Sequence, residues 1–231
     1  MARPPKPRVV PPLGAPSGGR RQLWEEVASR LREAVLSGAL PAGADLVESD
    51  LAERFNVSRG PIRDALRELV REGLLADLPR RGTVVATLGT ADLREVYAVR
   101  EGLETVAARL AIARAEDTDV QRIGIHVDRM EEAWDRGAEY ADSLAEDLAF
   151  HRGLVALSHN ARVVEMYDRM LAQTELLVRS AAAANPRLAH AMKRSAHRDI
   201  QDGILSRDPD RARIAIADHY AYAVERLFSS N

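Results

Sequence analysis

Asp147 and His151 stand four residues apart within a helical pattern, so both side chains leave one face and can reach a common ion. His197 and His219, on later helical stretches, could complete a set of three imidazoles and one carboxylate. Such a set suits Zn, Ni, Mn or Fe at neutral pH. The chain has no cysteine, so any metal must be held by His and carboxylate and no disulfide can form. Spacing by itself is a weak guide, because six histidines scattered over a helical chain often produce one such pair. His126, His159 and His190 are read as ordinary hydrogen-bonded or exposed histidines. A metal with open positions could also activate water. No H-E-x-x-H or G-x-S-x-G motif accompanies the histidines, so an enzyme is not expected.

A second group of residues has the chemistry of nucleic-acid contact. Arg59 and Arg63 are four apart near the start of a short helical stretch, beside its apolar stripe of Ile62, Ala65, Leu66 and Leu69. A major groove admits a helix end, and arginine can pair bidentately with guanine. Arg67 lies further round and suits phosphate. Arg80 and Arg81, at the tip of a Pro79-Arg80-Arg81-Gly82 turn, could meet the minor groove or the backbone. The competing reading is a solvated face, with Arg63 and Arg67 paired to Asp64 and Glu68. Net charge decides little: it is −2 overall, with 14 basic against 11 acidic residues in 1–89 and 19 against 24 in 90–231. The sign asymmetry favours DNA contact in the first part only.

Residues 1–19 hold six prolines and three glycines with almost no apolar periodicity, which predicts a disordered tail and not a secretory signal. Leu23, Val27, Leu31, Ala34 and Val35 then recur at helical steps from Gln22 until Gly38. A second helix is expected from about Glu48 to Phe55, with Asn56 as its left-handed stop. Ser58 is a suitable N-cap for a third, Pro61 falls in its first turn and Gly73 ends it. Leu74–Leu78 and Thr83–Ala86 read as a hairpin.

Beyond Leu88 the sequence shows only helical patterns, punctuated at Asp117, Gly137, Asn160, Asn185-Pro186 and Asp208-Pro209, which makes six helices. Val120, Ile123, Val127, Met130 and Trp134 form a core-facing seam in one of them. The expected fold is mainly α: a winged helix-turn-helix over 20–88 and an all-helical bundle over 89–231. No apolar run approaches the ~20 residues of a membrane span.

The stretch from Leu40-Pro41-Ala42-Gly43 to Gly82-Thr83-Val84-Val85, including Leu51 through Leu66, closely resembles the DNA-binding domain of GntR-family regulators. The resemblance implies a DNA-contacting set of Ser58, Arg59, Arg63, Arg67, Arg80, Arg81 and Gly82. Arg59 and Arg63 would meet operator bases, and Gly82 would approach the minor groove. Some relatives carry another arginine where this chain has Ser49.

Residues from about Asp92 to Leu227 look like the all-helical FCD effector domain of the FadR branch. Asp147-Leu148-Ala149-Phe150-His151-Arg152, Ser158-His159-Asn160, Ala196-His197-Arg198 and Asp218-His219 fall on its recurring motifs. The resemblance implies that Asp147, His151, His197 and His219 bind a divalent ion, and that Arg100 and Asn160 serve a small organic acid effector. Arg100 also stands four residues before Glu104, so an ordinary ion pair competes with that role. An acyl-CoA effector is disfavoured, because the member that binds it lacks the metal set. The implied whole is a cytoplasmic homodimer that binds double-stranded operator DNA, usually as a repressor. A regulator for which the ion alone is the signal is the alternative.

Overall fold

The periodic run near Gln22 forms the first helix, α1 (Arg20–Leu36), which Gly38 ends in a left-handed conformation. The computed structural model describes residues 20–138, 140–184 and 196–228. The expected disordered tail of residues 1–19, the Asn185-Pro186 break and His190 lie outside the described residues. The chain divides into two compact units between Leu88 and Gly89.

In the first unit, α2 (Glu48–Phe55) and α3 (Arg59–Arg71) follow α1, and a hairpin of β1 (Leu75–Leu78) and β2 (Gly82–Val85) closes the unit. Val27, Leu31, Phe55, Ile62, Leu69 and Leu74 are almost wholly buried, so the apolar stripes of the three helices face one core. Asn56 adopts φ 53° and returns its amide to the carbonyls of α2, as its short polar side chain allows. Ser58 takes the N-cap position of α3 with extended backbone, but its hydroxyl makes no capping bond. Pro61 occupies the third helical position and has no N–H to offer that hydroxyl, which leaves only the Gly60 amide as a capping donor.

The strands pair antiparallel from Leu75 with Val85 to Leu78 with Gly82, within one residue of the expected limits. β2 is also bound on its far side. Gly43 donates to Val85, Val85 to Ala44, and Leu46 to Thr83, each at 2.9 Å. The wing is therefore tied to the segment that leads into α2.

The second unit holds α4 (Thr90–Arg114), α5 (Asp117–Asp135), α6 (Tyr140–Ala156), α7 (Ala161–Ala184), α8 (Ala196–Leu205) and α9 (Pro209–Phe228). These are the six expected helices, and no strand accompanies them among the described residues. α4 packs against α6, α7 and α9, α5 packs against α6 and α8, and α8 lies along α9. The α5 seam of Val120, Ile123, Val127 and Met130 is buried, whereas Trp134 is half-buried with its indole N–H donated to Ser143 at 3.1 Å. Gly203 of α8 lies so close to Ala212 of α9 that an added Cβ would stand 2.7 Å from the Ala212 Cα. No described helix is long and apolar enough to cross a membrane.

Candidate functional site

On α3 the buried stripe of Ile62, Ala65, Leu66 and Leu69 leaves Arg59, Arg63 and Arg67 on the exposed surface. Arg63 donates bidentately to Glu48 of α2, Nε at 3.2 Å and Nη2 at 3.0 Å. Its partner is therefore neither Asp64 nor Glu68, because the packing of α2 beside α3 brings in a carboxylate from another helix. The Arg63 hydrogen bond, helped by the charges of Arg59 and Arg67, holds the Glu48 carboxyl below its ordinary range.

Arg80 and Gly82 lie at the exposed hairpin tip, with φ 64° and 84°. No Cβ contact crowds Gly82, so its glycine is explained by backbone conformation and not by space. Arg81 donates to Asp45 at 2.6 Å and to the Gly43 carbonyl at 2.7 Å, so it braces the base of the wing. Ser58 is exposed beside Arg59.

The second unit brings Asp147, His151, His197 and His219 together. α6 supplies Asp147 and His151 from one face, α8 supplies His197, and α9 supplies His219. One donor atom from each lies within 4.8 Å of the others. All four are at least 96 % buried. His197 Nε2 donates to Asp147 Oδ1 at 2.8 Å, and His151 Nε2 stands 3.9 Å from the same oxygen. The ring centroids of His151, His197 and His219 are 4.7 to 5.2 Å apart.

Asp147 on His197 and Glu104 on His151 still leave buried imidazole nitrogens unsatisfied. His151 Nε2, His197 Nδ1 and His219 Nδ1 have no hydrogen-bond partner, an arrangement that is costly in a protein interior. Burial lowers the pKa of His197 and, further, of His219, where the neighbouring imidazoles add to the effect. Both therefore favour the neutral form that a metal requires. Burial would raise Asp147, but the opposing effects, led by the His197 hydrogen bond, outweigh it and keep the carboxyl below its ordinary range. Buried imidazoles that favour the neutral form, beside an ionised carboxylate, fit a divalent ion of borderline character.

Arg100, 2 % exposed, makes the expected ion pair with Glu104 and a further contact that spacing did not suggest. Its Nη2 is 3.4 Å from Glu104 Oε1, the ordinary i,i+4 pair, and the same nitrogen donates to the Tyr167 hydroxyl at 2.7 Å. Asn160 stands before α7, where its side-chain oxygen accepts from the amides of Arg162 and Val163 at 3.1 and 3.4 Å. That is a helix-capping role. His126 bonds Glu146 at 2.6 Å, and His159 is exposed with φ 48°.

Sequence reasoning missed Tyr167 and Tyr220, and gave Glu104 no part beyond Arg100. A signal for Glu104 was available. Leu93, Val96, Tyr97, Ala107, Ala108 and Ala111 step along α4 as its buried seam, and Arg100 and Glu104 occupy the seam positions between them. Two charged residues where helical period demands apolar ones mark a buried polar network.

The sequence pattern of the FCD domain matches residues 95–222, and that of bacterial regulatory proteins of the gntR family matches residues 23–85. A probable D-xylose utilization operon transcriptional repressor of Paenarthrobacter nicotinovorans is 30 % identical over 92 % of this chain and 93 % of its own length. The gluconate operon transcriptional repressor of Bacillus licheniformis is 30 % identical over 65 % of this chain and 61 % of its own. Among solved structures, E. coli McbR/YncC shares the fold with a TM-score of 0.70 at 21 % identity, covering 90 % of this chain and 97 % of that one. Both sequence relatives are named as transcriptional repressors of operons. With a DNA-binding pattern over its first unit and an FCD pattern over more than half its length, the chain belongs to the GntR family of bacterial transcriptional regulators.

Proposed function

We propose that this protein is a cytoplasmic, homodimeric repressor whose affinity for operator DNA is set by a small carboxylate held at a divalent-metal site in the 89–231 unit. The observation that carries the proposal is the buried convergence of Asp147, His151, His197 and His219 with three unpartnered imidazole nitrogens. Zn, Ni, Mn or Fe bound there would supply open coordination positions for the oxygens of an acid. The chain's own residues do the rest: Asp147 and the three histidines hold the ion, and Arg100 meets the effector carboxylate. Asn160 has only its amide NH2 to offer, since its oxygen caps α7. Two relatives named for D-xylose and gluconate operons support a search among sugar-derived hydroxy acids.

On the DNA side, Arg59 and Arg63 read bases, Ser58 and Arg67 contact the backbone, and Arg80 with Gly82 places the wing in the minor groove. Arg81 assists chiefly by bracing the wing. A homodimer would read an inverted repeat. An effector that binds only one arrangement of the dimer shifts the population by its differential affinity, about 1.4 kcal/mol per tenfold.

One observation favours a second reading, in which the ion alone is the signal: Arg100 is already engaged by Glu104 and Tyr167. Operator fragments selected from genomic DNA separate the two. Their affinity is measured for metal-free protein, for protein with the ion, and for protein with ion and small carboxylates. Release only in the third condition supports the effector; release with the ion alone supports the second reading. Absence of preference for any genomic fragment over bulk DNA would overturn both.

A further inference from the structure

Glu104 of α4 is completely buried and has four polar neighbours. The Tyr167 and Tyr220 hydroxyls each donate to its Oε1 at 2.5 Å, and Arg100 Nη2 lies 3.4 Å from the same oxygen. Its Oε2 is 2.7 Å from His151 Nδ1. Tyr167 is itself held, because Arg100 donates to its oxygen through both Nε at 3.1 Å and Nη2 at 2.7 Å. The Arg100 guanidinium lies 5.3 to 5.8 Å from the ring centroids of Tyr97, Tyr167 and Tyr220. Residues of α4, α6, α7 and α9 thus meet at one carboxylate.

A neutral imidazole carries one proton for two nitrogens, and the partner of one nitrogen decides the state of the other. An ionised carboxylate can only accept, so the Glu104 contact places the ring proton on His151 Nδ1. In the neutral ring that an ion requires, Nε2 is then bare, and it is this nitrogen that has no partner and stands 3.9 Å from Asp147. We infer that Glu104 is the positioning residue of the histidine cluster: it fixes the tautomer and ring orientation of His151 and so presents Nε2 to an ion. Tyr167, Tyr220 and Arg100 hold the carboxylate in place. This inference rests on the proposed metal-binding reading of the cluster, but its first test does not.

The test uses full-length protein labelled with 15N-histidine and freed of metal by chelation, compared with Glu104→Gln. Long-range 1H–15N spectra distinguish a protonated from a bare ring nitrogen. In the parent protein His151 shows protonated Nδ1 and bare Nε2. In the variant the neutral amide can offer the ring either its oxygen or its NH2, and both tautomers appear. Zn2+ is then titrated against a fluorescent chelator, where Glu104→Gln binds about 10- to 100-fold more weakly, the usual effect of removing a partner that orients a ligand.

An unchanged His151 tautomer in the variant overturns the inference, as does an unchanged Zn2+ affinity. If Glu104→Gln does not fold, Tyr220→Phe removes one hydroxyl and keeps the carboxylate; a smaller loss of Zn2+ affinity is expected, and none overturns the inference. Should the parent protein bind no Zn2+, the metal reading fails while the tautomer measurement still decides the part played by Glu104.

Discussion

Replacing Gly203 with alanine sets two effects of opposite sign against each other. Within a helix the substitution ordinarily stabilises by about 1 kcal/mol, because alanine loses less conformational freedom on folding. Here the added methyl would lie 2.7 Å from Ala212 Cα, 2.8 Å from Ala212 N and 3.1 Å from Ala212 Cβ. Carbon atoms normally meet at about 3.5–4.0 Å, so α8 and α9 must separate by roughly 1 Å. The obstructing atoms belong to backbone and cannot rotate away, which places the overpacking cost near the upper end of its range, about 3 kcal/mol. Sterics win by about 2 kcal/mol, which lowers the melting temperature of a unit this size by roughly 4–8 °C.

The same displacement reaches the candidate site, since α8 carries His197 and α9 carries His219 with ring centroids 4.7 Å apart. Metal ligation tolerates errors of only about 0.2 Å. Gly203→Ala therefore also weakens Zn2+ binding at least about tenfold, by competition with a chelator. Gly102→Ala is the internal control, because Gly102 lies in α4 with nothing within 4 Å of an added Cβ. It should stabilise by about 0.5–1 kcal/mol. Calorimetry of both variants decides the matter. If Gly203→Ala melts at or above the parent temperature, the helix contact does not limit this site and the reasoning fails.

Arg63→Ala is expected to cost about 1–3 kcal/mol of operator affinity with less effect on random DNA; equal losses on both would reassign it to phosphate contact. His219→Ala should abolish stoichiometric Zn2+ uptake measured by elemental analysis of dialysed protein, and unchanged metal content would show that the ion is held elsewhere. Asn160→Ala should lower stability by about 0.5–2 kcal/mol through the lost α7 cap. If its effector affinity, measured by calorimetric titration with a carboxylate that binds the parent, stays unchanged, Asn160 serves the fold alone.

What could be read along the chain was whatever helical and strand period, breakers and local spacing encode. The left-handed stop at Asn56, the turn at Gly82 and the shared face of Asp147 and His151 all follow from residues within one or two helical turns. The six helices of the second unit likewise follow from stripes and punctuation, as does the resemblance of each unit to a family pattern. Period shows which side of a helix is apolar. It does not show which other helix that side will meet.

Tertiary structure therefore decided every partner that is far away in sequence. Glu48 came to Arg63 across 15 positions, replacing the local pairing that spacing suggested, and Asp45 came to Arg81 across 36. His197 reached Asp147 across 50 positions, and Tyr220 reached Glu104 across 116. A buried charge must find its counter-group inside the protein, and helix packing selects that group from the whole chain. For that reason the residue types at this site were legible in the sequence, while the network that orients them existed only in the fold.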